Sequence, residues 1–317
     1  MTPKTAIYYD PIFLAHDTGN HPENHHRLEA IVKKLKSSSF HSRLEWVKPE
    51  PATPTQVEIV HSPHYVRWLE ERILLGAHYL DADTVVCHES WEAALTAAGE
   101  LIGAARAVAE GKYKNAFCAV RPPGHHAEAG RAMGFCLINN VAVGARTVQR
   151  EMGLDKVAVI DFDVHHGNGT QHIFYDDPSV FYVSTHLWPH YPGTGSEDET
   201  GEGAGKGTTL NIPMTQGDGD EAFAEKFDKV IVPAVLKFRP EMIFISAGFD
   251  GHKNDPLGGL ALTEAGFAAI TRKIAQLADD LGHGRVVSAL EGGYDLPALA
   301  ASVGAHVGEL VKAGKKE

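Results

Sequence analysis

The chain has 317 residues, of which 43% are hydrophobic and 22% are charged, and its formal net charge at pH 7 is −12. This composition is typical of a globular protein, and the length allows one large α/β domain or two small ones. Because phosphate contacts require clustered Lys and Arg, an acidic chain is a poor nucleic-acid binder. We therefore expect no nucleic-acid partner.

The three cysteines, Cys87, Cys118 and Cys136, form neither a disulfide framework nor a closely spaced metal pair. This usage favours a reducing compartment. The N-terminus, MTPKTAIYYD, lacks the basic and apolar regions of a signal peptide, and no apolar run reaches membrane-spanning length. The sequence thus predicts a soluble, cytoplasmic protein that does not bind a membrane.

Short β-branched runs alternate with amphipathic stretches along the whole chain, without an internal repeat or a linker. The predicted strands are Thr5 to Tyr9, Ala116 to Val120, Val157 to Phe162, Val180 to Ser184, Thr208 to Ile212, Met242 to Ser246 and Arg285 to Leu290. The clearest helical patterns span 90–111 and 220–238. Near-continuous apolar strands between helices predict one doubly wound α/β domain over residues 1–317, with a parallel sheet covered on both faces.

Polar segments follow five of these predicted strands. They are RPPGHH (121–126), DFDVHHG (161–167), STH (184–186), AGFDGH (247–252) and LEGGYD (290–295). Ligands bind beyond the carboxyl ends of strands in such sheets. We therefore expect the five segments to converge on one site.

The segment DFDVHHG carries the strongest chemical signal. In an extended strand alternate side chains share a face, so Asp161, Asp163 and His165 are expected to point the same way. Asp163 and His165 could then reach one ion, with Asp250 as the third ligand. Such a set with an open position suits a catalytic Zn²⁺, although Fe²⁺ is chemically admissible. Taken alone, the pattern is equally compatible with a capped strand end.

His125 and His126 follow a loop stiffened by two prolines. An imidazole near an activated water is a natural general base, and Asp161 could orient one ring. Tyr294, after two glycines, could donate a hydrogen bond to a developing oxyanion. Together these residues predict metal-assisted hydrolysis of an acyl bond.

The same motifs resemble those of the zinc-dependent histone deacetylase superfamily, in its class II and bacterial branch. The matching segments are RPPGHHAE…GFCLINN, DFDVHHGNGTQ, STH…YPGTG, AGFDGHKNDPLGG and LEGGYD, and the resemblance runs from HDTGNHPE (16–23) to the last helix. It implies an arginase-like single domain, with about eight parallel strands covered by helices on both faces.

The resemblance also implies roles for individual residues. The zinc ligands would be Asp163, His165 and Asp250, and the catalytic residues would be His125, His126, Asp161 and Tyr294. His126 would be the general base, with His125 assisting electrostatically or as an acid. The substrate tunnel would be lined by Gly134, Phe135 and Tyr191, with Leu257 at its gatekeeper position. Arg27 would line a channel for acetate release, unless it forms an ordinary helix salt bridge. A structural K⁺ would lie near Asp161, Asp163, His165, Ser184 and Thr185.

The implied reaction is hydrolysis of the amide of an acylated lysine side chain, with release of acetate. The partners would be acetylated protein or peptide lysines, and small acetylated amines and a homo-oligomer stay open. At position 168 the class I branch has Asp, whereas this chain has Asn168, as class II members do. An amide stabilises an imidazolium less than a carboxylate does, so we expect a less basic His126.

Three alternatives compete with this interpretation. A binuclear manganese ureohydrolase would need another Asp ligand where this chain has Gly167. A non-catalytic acyl-lysine binding module could dispense with Tyr294 or the histidine pair, and this chain has both. An acetylpolyamine amidohydrolase would carry Glu rather than Leu257 at the gatekeeper position. Leucine would leave the desolvated ammonium of an acetylpolyamine without a partner. Leu257 therefore favours acetyl-lysine over acetylpolyamines as the substrate.

Overall fold

An eight-stranded sheet forms the centre of the computed structural model, which describes residues 4–313. The strands are β1 (Thr5–Tyr8), β2 (Leu44–Val47), β3 (Asn115–Cys118), β4 (Val157–Asp161), β5 (Val180–Leu187), β6 (Thr209–Met214), β7 (Met242–Ala247) and β8 (Val286–Leu290). Their order is β2-β1-β3-β8-β7-β4-β5-β6, and every neighbouring pair is parallel. The predicted single α/β domain with a parallel sheet is confirmed.

The apolar runs of the sequence become strands that are buried on both sides. All residues of β3, β4, β5, β7 and β8 are buried, although successive side chains point to opposite faces. Both faces of the sheet centre are therefore covered, as in other all-parallel sheets.

Helices flank this sheet. They are α1 (Ile12–Ala15), α2 (His26–Lys36), α3 (Pro54–Val57), α4 (Pro63–Leu74), α5 (Ser90–Ala109), α6 (Asn140–Met152), α7 (Asn168–Phe174), α8 (Asp220–Lys226), α9 (Val232–Phe238), α10 (Glu264–Asp280) and α11 (Leu296–Lys312). Two short 3₁₀ turns span His41–Arg43 and Gly203–Gly205. No helix within the described range is long and apolar enough to cross a membrane.

Two features of the chain differ from the sequence predictions. The edge strand β2 was not predicted, because only the first residue of LEWV is buried and its pattern is too short to stand out. The helical pattern over 220–238 is interrupted between α8 and α9 by a π-helical turn, Phe227–Ile231. Pro233 in the first turn of α9 lacks the N–H group that an uninterrupted helix would use.

The five strands that precede the polar segments are neighbours in the sheet, in the order β3-β8-β7-β4-β5. Because these strands are parallel, their carboxyl ends meet at the same edge. The expected convergence of the five segments is therefore confirmed by the topology. One detail was wrong: Thr185 and His186 lie inside β5 rather than beyond it, since that strand runs past its predicted end at Ser184 to Leu187.

A smaller hydrophobic cluster supports the loop that follows the tandem histidines. It packs residues of α4 and α5 against Leu137 and Ile138. The buried hydroxyl of Tyr65 donates a hydrogen bond to the carbonyl oxygen of Leu137 at 2.6 Å. This packing fixes the loop that carries Gly134 and Phe135 toward the site.

Candidate active site

Asp163 and His165 lie in the loop after β4, not on the strand. The strand ends at Asp161, and a chain of local hydrogen bonds shapes this loop: the N–H of Asp163 donates to Oδ1 of Asp161 at 3.1 Å, and the N–H of His165 donates to Oδ1 of Asp163 at 2.9 Å. The prediction that these side chains share a face because they alternate along a strand was therefore wrong. The carboxylates themselves fold the loop and bring the side chains together.

Asp250, in the loop after β7, completes the predicted ligand set. The ligand atoms of Asp163, His165 and Asp250 all lie within 4.8 Å of one another. Nδ1 of His165 is 3.0 Å from Oδ1 of Asp163 and 3.2 Å from Oδ2 of Asp250. These are the three atoms that could hold a metal ion.

Two observations show that this set fits a cation. Oδ2 of Asp250 is buried and accepts no hydrogen bond of acceptable geometry. Burial and the charge of Asp163 raise the pKa of Asp250 to about 7. A positive ion between the two carboxylates would satisfy the free oxygen and relieve their repulsion.

The backbone approaches these carboxylates so closely that only glycine fits. A Cβ atom at Gly248 would lie 2.0 Å from Oδ2 of Asp163, and one at Gly292 would lie 2.0 Å from Oδ2 of Asp250. The N–H of Gly292 donates to Oδ2 of Asp163 at 2.8 Å. The glycines of AGFDG and LEGGYD thus shape the ligand cradle.

The tandem histidines are buried side by side, with ring centroids 4.0 Å apart. Nδ1 of His125 lies 3.0 Å from Oδ2 of Asp161, as expected, and Nδ1 of His126 lies 2.8 Å from Oδ1 of Asn168. The two imidazoles are therefore each held through Nδ1, and Nε2 of His125 lies 3.8 Å from Oδ1 of Asp163.

The two imidazoles differ in protonation. Burial alone would lower the pKa of His125, but the carboxylates of Asp161 and Asp163 outweigh it and raise the pKa to about 10. The pKa of His126 falls well below its usual range because of burial and the neighbouring His125 and His165. The hydrogen bond to Asn168 acts in the opposite direction. His126 is thus a neutral base next to a cationic His125.

Glu291, for which the sequence suggested no role, fixes the histidine loop. Its Oε2 accepts hydrogen bonds from the N–H groups of Gly124 and His125 at 2.7 and 3.1 Å, and its Oε1 accepts one from the hydroxyl of Ser246 at 3.0 Å. The available sequence signal for this role was an acidic residue directly after an apolar run, in LEGGYD.

Tyr294 is positioned by Asp255, which belongs to the segment AGFDGHKNDPLGG. Oδ2 of Asp255 accepts hydrogen bonds from the N–H groups of Tyr294 and Asp295, at 2.6 and 3.3 Å. Its Oδ1 accepts one from the N–H of Leu257 at 3.0 Å. Burial raises the pKa of the Tyr294 phenol well above its usual range, so the hydroxyl stays a hydrogen-bond donor at neutral pH.

Arg27 is fully buried and holds the loop after β8. Its Nε donates to the carbonyl oxygen of Gly293 at 2.7 Å and its Nη2 to that of Glu291 at 2.5 Å. Its Nη1 forms an ion pair with Glu23 at 3.0 Å, and its guanidinium lies 5.0 Å from the centre of the Tyr294 ring. Both sequence expectations for Arg27 thus stay compatible with its position, since a salt bridge is present within the site.

A cavity of about 230 Å³ leads to the ligand set. All four residues predicted for the tunnel line it, together with His125, His126 and Tyr294 of the catalytic candidates; Asp161 does not line it. The lining is Asp83, Pro123, His125, His126, Gly134, Phe135, His165, His190, Tyr191, Leu257, Gly292 and Tyr294. Gly134 and Phe135 have φ angles of 57° and 68°, and a Cβ at Gly134 would lie 2.4 Å from the His126 ring. Asp83 adds a carboxylate that no sequence motif indicated.

The residues expected around potassium are also adjacent. Asp161 pairs with Ser184 across β4 and β5, and the hydroxyl of Thr185 donates to the carbonyl oxygen of Asp161 at 3.4 Å. The hydroxyl of Ser184 lies 2.9 Å from Nδ1 of His186. Potassium binding itself stays a prediction.

Comparisons with known proteins agree on one family. Residues 21–310 match the model of the histone deacetylase domain. A probable deacetylase of Archaeoglobus fulgidus is 41% identical over 295 residues, covering 92% of this chain and 82% of the relative. Histone deacetylase 10, chloroplastic, of Oryza sativa is 41% identical over 314 residues, covering 94% of this chain and 71% of the relative.

A solved structure extends this similarity to three dimensions. The crystal structure of the HDA15 HD domain superposes with a TM-score of 0.94 at 37% sequence identity, covering 99% of this chain and 91% of that one. The fold, the family model and the sequence relatives agree with the motifs that meet at the carboxyl edge of the sheet. The chain therefore belongs to the histone deacetylase family.

Proposed function

We propose that this protein hydrolyses the amide of acetylated lysine side chains and releases acetate, with one zinc ion per chain. One observation carries the proposal. The carboxylates of Asp163 and Asp250 and the imidazole of His165 form a three-ligand set, and His165 lines the same cavity as the neutral His126 and the phenol of Tyr294. Deacetylation is also the activity stated in the names of the two relatives.

A zinc ion held by Asp163, His165 and Asp250 would supply Lewis-acid activation of a water molecule and of the acetyl carbonyl. The donor set of two carboxylates and one imidazole suits this ion, and the free oxygen of Asp250 gives it a place. The adjacent Asp161, Ser184 and Thr185 make a structural K⁺ part of the same proposal.

The chain's own residues would then divide the proton transfers. His126, neutral and held through Nδ1, accepts the proton of the attacking water at Nε2. His125, kept cationic by Asp161, stabilises the negative charge that develops and can donate its own proton to the leaving amine. The phenolic hydroxyl of Tyr294 donates a hydrogen bond to the acetyl oxygen as negative charge develops there.

The cavity wall supports a long, unbranched substituent as the substrate. Phe135 and Tyr191 place aromatic rings beside it, and the ring of Tyr191 lies 5.1 Å from that of His126. Methylene groups of a lysine side chain would bury apolar surface there, with the amide at the ligand set.

The manganese alternative is disfavoured by the space around Gly167. A Cβ at this position would lie 2.3 Å from Oδ2 of Asp161 and 2.5 Å from the hydroxyl of Tyr182. A carboxylate side chain at position 167 would therefore displace both Asp161 and Tyr182. The acetylpolyamine alternative gains one feature, since the carboxylate of Asp83 lines the cavity that Leu257 also lines.

Release of acetate from an acetyl-lysine peptide and from acetylspermidine, measured side by side on the zinc-loaded protein, tests the proposal. We expect the peptide to be hydrolysed faster and a hydroxamate, which chelates zinc, to inhibit the reaction. Hydrolysis of neither compound by protein with one zinc per chain would contradict the proposed function. Faster hydrolysis of acetylspermidine would instead support the polyamine alternative.

A further inference from the structure

A hydrogen-bonded relay leads from His126 away from the cavity. Nδ1 of His126 lies 2.8 Å from Oδ1 of Asn168, and Nδ2 of Asn168 donates to Oε1 of Glu128 at 2.9 Å. The same Nδ2 lies 3.3 Å from Sδ of Met133. Asn168 is buried and Glu128 is partly exposed, and both lie on the wall of a second, open cavity of about 490 Å³.

The groups at the far end of this relay fix its direction. A carboxylate can only accept hydrogen bonds, and a thioether sulfur is at most a weak acceptor. Glu128 and Met133 therefore both require the N–H groups of the Asn168 amide, not its oxygen. Oδ1 must then face His126, and since it can only accept, Nδ1 of His126 must carry the proton.

This assignment leaves Nε2 of His126 as the unprotonated nitrogen of a ring that lines the same cavity as the ligand residue His165. An amide alone would not ensure this, because a flipped Asn168 would present N–H to Nδ1 and force the proton onto Nε2. A base with its proton on the wrong nitrogen cannot accept one from water.

The backbone holds Glu128 in place for this task. Its N–H donates to the carbonyl oxygen of Arg131 at 3.0 Å, and its carbonyl oxygen lies 3.0 Å from Nδ1 of the buried His61. Asn168 is equally fixed, at the first position of α7 with its N–H bonded to the carbonyl oxygen of His166 at 2.9 Å. The carboxylate thus approaches the amide from a fixed direction.

We propose that Glu128 is a positioning residue that acts through Asn168 to keep Nε2 of His126 available as the base. This inference rests on the proposed function, in which His126 is the general base. Glu128 touches neither the ligand set nor the cavity that leads to it.

A double-mutant cycle tests the inference. Glu128→Ala should lower kcat at least about tenfold with little change in KM, because the amide loses its orienting charge. Asn168→Asp replaces the amide with a group that can only accept, so it needs no orientation and is repelled by Glu128. In the Asn168→Asp background, Glu128→Ala should therefore leave kcat unchanged or raise it. A similar loss in both backgrounds would overturn the inference, since a merely structural role predicts it.

¹⁵N NMR of histidine-labelled, zinc-loaded protein tests the relay without relying on turnover. The His126 signal, identified by its loss in His126→Gln, should show a protonated Nδ1 in the unmutated protein and a shift of the proton toward Nε2 in Glu128→Ala. An unchanged signal in Glu128→Ala would overturn the inference, even if no acetyl-lysine peptide is hydrolysed and the proposed function fails. Glu202→Ala, on the same cavity wall, is the charge control and should leave both signal and turnover unchanged.

Discussion

Buried histidines in two regions of the molecule have opposite properties. At the carboxyl edge of the sheet, His125 and His165 face carboxylates, which overcome the effect of burial and raise each pKa to about 10. In the core, His306 lies between the hydroxyls of Thr271 and Ser288, and burial lowers its pKa to about 3.

The difference lies in the neighbours, because His125 and His306 are both buried and His165 is mostly buried. Asp161, Asp163 and Asp250, at or just after the ends of β4 and β7, stabilise positive charge on the histidines near them. The neighbours of His306 in the core are neutral. Burial of a titratable side chain is therefore no sign of function by itself. Convergent carboxylates are the better indicator.

Removal of a ligand should have the largest effect. Asp250→Ala should lose the bound zinc and nearly all deacetylase activity, because a two-ligand site binds zinc poorly. Metal analysis after dialysis, with turnover measured on the same sample, checks this outcome. His306→Gln, a substitution at a buried histidine of the core, should keep its zinc. Full zinc occupancy in Asp250→Ala would show that another residue is the third ligand.

Loss of the phenolic hydroxyl should rank second. Tyr294→Phe should keep about one zinc per chain but lower turnover by at least about a hundredfold, the usual scale for removing an oxyanion donor. Parallel measurements of kcat and metal content separate this effect from metal loss. Near-normal turnover would remove Tyr294 from the catalytic group.

A change at the cavity mouth should have a smaller effect on selectivity. Leu257→Glu should shift the ratio of kcat/KM values toward acetylspermidine by about ten- to thirtyfold, because a carboxylate compensates the desolvated ammonium. Asp83→Asn should shift the ratio in the opposite direction, since Asp83 already lines the cavity. If Leu257→Glu depresses both activities equally, the leucine only packs the loop.

The core histidine should have the smallest effect, on stability alone. The pKa of His306 in the fold, about 3, lies below the unfolded value of 6.5, so the unfolded chain binds a proton first as pH falls. The stability contributed by the neutral His306 is fully present above pH 6.5 and is lost progressively as the pH falls from 6.5 toward 3. Between pH 7 and pH 5.5 this loss is about 1 kcal/mol.

Urea unfolding of the unmutated protein and of His306→Gln at both pH values measures this contribution. Glutamine cannot titrate, so the drop in the free energy of unfolding should be smaller in the variant by about 1 kcal/mol. Equal pH dependence in the two proteins would mean that His306 is not neutral in the fold.

The sequence predicted most of this site because its residues follow strand ends. Asp163, His165 and Asp250, the histidine pair and Tyr294 all stand in short motifs after apolar runs, and parallel topology brings such positions together. The resemblance to a known family supplied roles that spacing alone does not give.

The rest depended on contacts between residues distant in the chain. Asp255 bonds to the backbone of Tyr294, and Glu291 bonds to that of His125, across separations of 39 and 166 residues. Glu128 reaches Asn168 over 40 residues. No local pattern encodes such partners. The edge strand β2 was missed because three of its four residues are only half-buried.

Titration of metal-stripped protein with zinc, with turnover of an acetyl-lysine peptide followed at each addition, tests the central claim most directly. We predict no turnover without metal, a linear rise to one zinc per chain and a plateau thereafter. Turnover that needs two manganese ions per chain, or that persists after the metal is removed, would contradict the proposed function.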